Sequence, residues 1–182
     1  MLPTRDEAMA LIRDGLSNNP GPWGKHSLTA AHCAEKIAAA CGDIDAEKAY
    51  VLGLLHDIGR KFGVRHLGHV SDGYRFMMSL GYDEAAKICL THSFNNHTLD
   101  EYIGKLDVSE EEMEMIKTEL ARTVYDDYDR LIQLCDSLAG AEGVLDIEDR
   151  MNDVKKRYFE KKMEKDIYLV CEKDSFVPEE IG

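Results

Sequence analysis

A histidine and an aspartate stand side by side at the end of an apolar run that begins at Val51. Burying a polar group without a partner costs roughly 2–7 kcal/mol, even when the group is neutral. A metal ion that takes both His56 and Asp57 as ligands removes that cost. The pair therefore predicts a buried metal site, whose remaining ligands must come from other parts of the chain.

Two further side chains lie on helix faces that are otherwise apolar. His26 belongs to a core-facing stripe at helical spacing. The other members of that stripe are Ala30, Cys33 and Ile37. Asp136 stands inside an apolar run of a later helix, where a lone carboxylate is costly. With the first pair, these residues give two imidazoles and two carboxylates. Such a mixture suits Mn²⁺, Fe, Co²⁺, Ni²⁺ or Zn²⁺ better than it suits a purely oxygen-liking ion.

The elements that must position these residues are helices. A threonine or serine followed three residues later by glutamate predicts helix starts at Thr4, Thr98 and Ser109. Asp45 and Asp126 are predicted to cap two more helices. No stretch alternates convincingly with period two. The predicted helices run over about 5–15, 25–40, 46–57, 70–80, 83–92, 109–123, 127–140 and 146–164, with a short one after residue 98.

We therefore predict an all-α helical bundle formed by a single domain over residues 1–182, with no internal repeat. Its motif-bearing core covers about 20–140, and a final helix and tail cover 141–182. The stretch 167–171 is either a strand or a continuation of that helix. Two roles stay open for this C-terminal part, which either packs on the bundle or mediates self-association, for example as a homodimer.

The charge of the chain limits its partners. It has 35 acidic against 22 basic residues and a formal net charge of -13, whereas nucleic-acid binding depends on Lys and Arg that neutralise phosphates. We therefore expect no nucleic-acid polymer as partner. Five cysteines without a Cys-x-x-Cys pattern favour a reducing compartment. Because no signal core and no membrane-spanning run is found, we expect a cytoplasmic protein without a membrane partner.

The ordered set of His26, His56-Asp57 and Asp136 resembles the HD-domain metal-dependent phosphohydrolases. Their signature is a histidine, then a His-Asp pair, then a distant aspartate, and residues 56–59 match the common His-Asp-Ile-Gly form. The resemblance covers about residues 20–140 and implies an all-α bundle. It also implies hydrolysis, by metal-activated water, of a phosphoester or phosphoanhydride in a nucleotide or related small phosphorylated metabolite.

Some members of that family hold two metals with two additional histidines. By this resemblance, His69 and His92 would bind the second metal and Asp57 would bridge the two ions. His66 stays open as an alternative to His69, as does His97 to His92. The implied cofactor is a divalent transition metal (Fe, Mn, Co, Ni or Zn), as one or two ions.

The catalytic residues predicted beside the metal are Asp57, Arg60 and His66. Arg60 replaces the lysine that many family members have there. It either clamps a phosphate of the substrate or is a solvated cation at a helix end. His66 and His97 are candidates for phosphate contact or for protonation of the leaving group. Two other functions use the same motif: a di-iron oxygenase of the HD type, and a non-catalytic nucleotide-sensing module.

Overall fold

The computed structural model describes residues 1–100, 102, 104–152 and 155–156. The chain divides into two units, Met1–Leu145 and Asp146–Gly182. The single domain over 1–182 stays a prediction. In the described part of the first unit, the helices are α1 (Arg5–Asn18), α2 (Trp23–Cys41), α3 (Ala46–Leu55), α4 (Gly68–Ser79), α5 (Asp83–Thr91), α6 (Glu110–Arg122) and α7 (Asp127–Leu138).

Little else among the described residues of this unit is regular. A 3₁₀ turn, Ile58–Phe62, follows α3, and the two-residue strands β1 (Ala139–Gly140) and β2 (Gly143–Val144) pair antiparallel after α7. The all-α prediction is therefore confirmed. Within the ranges given above, no helix combines the length and the apolar character that crossing a bilayer requires.

Side-chain caps confirm four of the predicted helix starts. Each capping oxygen accepts a hydrogen bond from a backbone N–H in the first turn, an interaction worth about 1 kcal/mol. The four caps are Thr4, Asp45, Ser109 and Asp126. The predicted start after Thr98 differs, because residues 98–100 form a turn in which Thr98 Oγ1 accepts the N–H of Asp100. Position 101 lies outside the described residues.

Several helix ends differ from the prediction. The fourth helix begins at Gly68 rather than at residue 70, which brings His69 into its first turn. The seventh ends at Leu138, and the short β1–β2 ladder follows it. Residues 147–152 and 155–156 are helical. The rest of the predicted final helix and the stretch 167–171 lie outside the described residues.

Two glycines allow the backbones that carry the site to approach one another. A Cβ at Gly53 of α3 would lie 2.9 Å from the Cα of Ala31 on α2, so the absence of a side chain lets these helices touch. A Cβ at Gly59 would overlap the carbonyl oxygen of His69 and lie 2.6 Å from the N of Gly73. The 3₁₀ turn therefore lies directly against the first turn of α4.

The apolar core has two parts. The larger part lies mainly among α1, α2, α3, α5 and α7, and alanines of α2 let that helix pack closely on its neighbours. The smaller part joins α4, α5 and α6, and its buried members are Leu67, Val70, Leu90, Phe94, Ile116 and Leu120. The candidate site residues come from helices of both parts.

Candidate metal centre

Four side chains from three separate segments of the chain meet in the first unit. His26 on α2 and His56 at the end of α3 have their Nε2 atoms 3.2 Å apart. Asp136 Oδ1 on α7 lies 2.9 Å from His26 Nε2 and 3.4 Å from His56 Nε2. Asp57 Oδ2 lies 3.9 Å and 3.8 Å from the same two nitrogens. The structure thus brings together the first predicted ligand group.

The other oxygen of Asp57 faces a second group. Asp57 Oδ1 lies 3.2 Å from His69 Nε2 on α4 and 3.7 Å from His92 Nε2 after α5. The two imidazole Nε2 atoms are 3.1 Å apart. Asp57 is therefore the residue shared by two clusters whose ligand atoms lie within 4.8 Å of one another. This geometry is that of a bridging carboxylate.

Every imidazole of the cluster is tethered through its other ring nitrogen. The Nδ1 atoms lie within hydrogen-bond distance of main-chain carbonyls, and a carbonyl only accepts. In the neutral ring, Nδ1 therefore carries the hydrogen and Nε2 keeps a lone pair. The tethering carbonyls are those of Ala139, Gly53, His66 and Cys89, in the order of the histidines along the chain.

These tethers make the cluster a good match for a cation. The Nε2 atoms of His26 and His56 face each other at 3.2 Å, and those of His69 and His92 at 3.1 Å. When the rings are neutral and in this tautomer, each of these nitrogens carries a lone pair, so the two rings of a pair cannot hydrogen-bond to each other. Asp57 Oδ1 is buried without a hydrogen-bond partner in the described part of the chain. Such an atom is costly to leave unsatisfied, so a metal ion between the nitrogens and this oxygen resolves both features.

The local electrostatics keep the carboxylates ionised. Burial works against ionisation of Asp136, but the neighbouring imidazoles of His26 and His56 hold its pKa well below the usual range. Burial also disfavours the charged form of His56, yet Asp57 and Asp136 outweigh it and raise the pKa of His56 to about 9. Burial beside other imidazoles lowers the pKa of His92 to about 3.

The remaining predicted residues have different surroundings. Arg60 Nε donates to Asp57 Oδ2 at 2.6 Å, and the Arg60 side chain is one-third exposed. The side chain of His66 is exposed, whereas its carbonyl accepts from His69 Nδ1. His97 is also exposed and stacks on Tyr125 at 3.6 Å between ring centroids. The structure therefore brings Arg60 to the centre and joins His66 to it through the main chain.

One supporting group is not among the residues predicted above from the sequence. Asp129 on α7 is fully buried, accepts the Thr91 hydroxyl at 2.7 Å and pairs with Lys87 at 2.7 Å. Gln133 Nε2 donates to the Thr91 carbonyl at 2.9 Å. These contacts fasten α7 to the end of α5, where His92 follows.

A pattern on α7 could have indicated this role. Asp129, Gln133 and Asp136 are spaced by four and three residues, so they share one helical face. Asp129 also accepts the N–H of Asp126 at the start of the helix, so it takes part both in the local cap and in the contact with α5.

A comparison with protein-family models matches the HD domain over residues 23–141. The chain belongs to the HD domain family. The matched range contains every residue of the two clusters and also Asp136. HD domains form a superfamily of metal-dependent phosphohydrolases. No curated protein and no solved structure is similar enough to the chain to count as a match.

Proposed function

We propose that this protein is a metal-dependent phosphohydrolase that cleaves a phosphoester or phosphoanhydride bond in a nucleotide or related small phosphorylated metabolite. The observation that carries the proposal is the sharing of Asp57 between two histidine-rich groups, one oxygen facing each. A shared carboxylate fixes the distance between two ions. Two ions held in this way can clamp the attacking and leaving oxygens of a displacement at phosphorus.

The charge of the proposed centre suits an anionic substrate. Asp57 and Asp136 supply two negative charges, so two divalent ions leave a net charge of about +2 at the centre. Arg60 adds a further positive charge beside Asp57. In a chain whose formal net charge is -13, this is a local positive site that attracts phosphate while the rest of the surface repels polyanions.

Each residue has a defined task in this proposal. The imidazoles of His26, His56, His69 and His92 are ligands, kept in the correct tautomer by their carbonyl tethers. A metal bound there lowers the pKa of coordinated water towards ~7, which supplies a nucleophile near neutral pH. Asp57 sets the spacing of the two sites.

Arg60 is the proposed phosphate contact. Its Nε atom is engaged by Asp57, while its two terminal nitrogens make no hydrogen bond to any residue within the described ranges. Because a guanidinium can donate two parallel hydrogen bonds to phosphate oxygens, these nitrogens can hold the substrate next to the centre. The bond to Asp57 fixes the plane of the guanidinium for that contact.

The test combines metal content with turnover. Purified protein loaded with Fe, Mn, Co, Ni or Zn is screened for phosphate release from nucleotides and small phosphoesters. The Asp57→Ala variant should lose bound metal and turnover together while its helical circular dichroism persists. His32→Ala is the control, because His32 lies on the same helix as His26 with an exposed side chain.

Three outcomes would reject the proposal. Full turnover by Asp57→Ala would remove the centre from the reaction. Oxygen consumption by the iron-loaded protein, without phosphate release, would identify an oxygenase. A protein that binds metal but turns over neither oxygen nor any phosphorylated compound would be a non-catalytic module.

A further inference from the structure

The loop before α4 is held by residues that occur about forty positions later. Asp107 accepts the His66 N–H at 2.6 Å with one carboxylate oxygen and the Gly68 N–H at 2.9 Å with the other. The next peptide in this loop is also fixed, since Leu67 N–H donates to the Lys105 carbonyl at 3.2 Å. Asp107 therefore caps the start of α4, although it comes from a distant segment of the chain.

Arg65 anchors the same loop from its other side. Its Nη1 donates to both carboxylate oxygens of Asp72 at 2.9 Å, and its Nη2 donates to the Asp107 carbonyl at 2.9 Å. Nη2 also pairs with Glu112 at 3.2 Å. Charge-assisted bonds of this kind are stronger than neutral ones. The main chain around His66 is thus fixed by side chains from α4, from α6 and from the segment before α6.

The fixed loop controls one imidazole of the centre. The His66 carbonyl accepts from His69 Nδ1, which leaves His69 Nε2 facing Asp57 Oδ1 at 3.2 Å. A continuous chain of contacts therefore runs from the Asp107 carboxylate, through the main chain of His66, to the His69 ring. Residues that orient a ligand in this way typically change metal affinity 10–100-fold when they are removed.

We propose that Asp107 is a positioning residue for the second metal, acting through the main chain of His66 on the orientation and tautomer of His69. This inference rests on the proposed two-metal centre. The inference predicts that loss of Asp107 affects the second metal site and not the first. The first pair of rings is tethered to Ala139 and Gly53, which lie outside the loop that Asp107 holds.

The experiment is a titration of metal-free protein with Co²⁺, followed calorimetrically and by elemental analysis of the dialysed product. The wild type should bind two ions. Asp107→Ala should weaken the second binding step about 10–100-fold and leave the first unchanged. Asp107→Asn keeps one acceptor oxygen and should show the same selective effect at smaller size, which preserves the test if the alanine variant does not fold.

Two control variants separate this role from general stability. Thr4→Ala removes the cap of α1, a helix that bears none of the candidate ligands, and should leave both binding steps unchanged. His66→Ala removes an exposed imidazole but keeps the carbonyl, so it should retain both ions. Loss of the second ion in His66→Ala would show that the ring itself is required, and the inference would be wrong.

Other outcomes overturn the inference as clearly. If both Asp107 variants bind two ions with wild-type affinity, or weaken both steps equally, Asp107 does not position His69. A wild-type protein that binds a single ion would overturn it as well. The titration contains no substrate, so a failure to release phosphate would reject only the proposed function.

Discussion

Substitution of Gly59 by alanine tests how closely the 3₁₀ turn that follows Asp57 must approach α4, the helix that carries His69. A Cβ at this position would overlap the His69 carbonyl oxygen and lie 2.6 Å from Gly73 N, whereas ordinary contact begins near 3.4 Å. Both neighbours are main-chain atoms of α4, which cannot rotate away. In Gly59→Ala, the 3₁₀ turn and α4 must therefore move apart by about 0.8 Å or more, which is the difference between 2.6 Å and 3.4 Å.

That separation has two measurable effects. Overpacking of this kind costs about 1–3 kcal/mol, and contact with main chain places Gly59→Ala at the upper end. For a chain of this size, about 3 kcal/mol lowers Tm by roughly 6–12 °C. The shift also exceeds the roughly 0.2 Å tolerance of metal–ligand distances, so the group formed by Asp57 and His69 should bind its ion more weakly.

The assay is thermal unfolding together with metal titration, and Gly73→Ala is the matched control at the same junction. Its Cβ would lie 3.1 Å from the Cβ of Cys89, 3.2 Å from its Sγ and 3.3 Å from the N of Gly59, so shifts of a few tenths of an ångström suffice. The better helix propensity of alanine, about 0.8–1.0 kcal/mol, offsets the strain. A Gly59→Ala protein that melts within about 2 °C of wild type and binds two ions would refute this reasoning.

Two further predictions concern pH and the α5–α7 contact. Without metal, the raised pKa of His56, about 9, stabilises the fold fully below pH ~6.5 and progressively less as pH rises through 9. The lowered pKa of His92, about 3, has the opposite effect, since its stabilisation is lost as pH falls below ~6.5. Urea unfolding of the metal-free protein should thus show maximal stability near pH 6.5, and a flat profile would contradict both shifts. Separately, Asp129→Asn should lower the free energy of unfolding by about 1–3 kcal/mol, because it weakens a buried charged contact to α5. The control Asp127→Asn alters an exposed acid of the same turn and should unfold as wild type, and equal urea midpoints for both variants would refute the role of Asp129.

The sequence sufficed for the parts of the site that depend on local pattern. A polar residue on an otherwise apolar helical face is visible in the amino-acid order, and His26 and Asp136 were inferred on that basis. The helix starts with their own caps, such as Asp45 and Ser109, were predictable for the same reason. Each of these inferences needs only residues within about two helical turns.

The parts that the sequence did not disclose depend on contacts between distant residues. The fourth helix begins earlier than predicted because Asp107, 39 positions away from Gly68, accepts its N–H. The preference for His69 over His66 came from resemblance alone. In the structure, His69 lies in the first turn of α4 and faces Asp57, while the ring of His66 is exposed. A cap supplied by another segment cannot be predicted from the residues next to the helix start.

The position of the His-Asp pair at a helix end accounts for how Asp57 faces both groups of histidines. Within a regular helix, neighbouring side chains diverge by about 100° around the axis, since one turn takes 3.6 residues. Here α3 ends at Leu55, His56 still has helical dihedrals, and Asp57 adopts φ -103° and ψ 13°. This conformation belongs to the sparsely populated bridge region, where many active-site residues lie. The change of direction keeps Asp57 Oδ2 within 3.8 Å of His56 Nε2 while Oδ1 reaches the second pair of rings. A His-Asp pair in a helix interior would lack this turn, so the end of α3 at Leu55 is as necessary to a shared carboxylate as the aspartate itself.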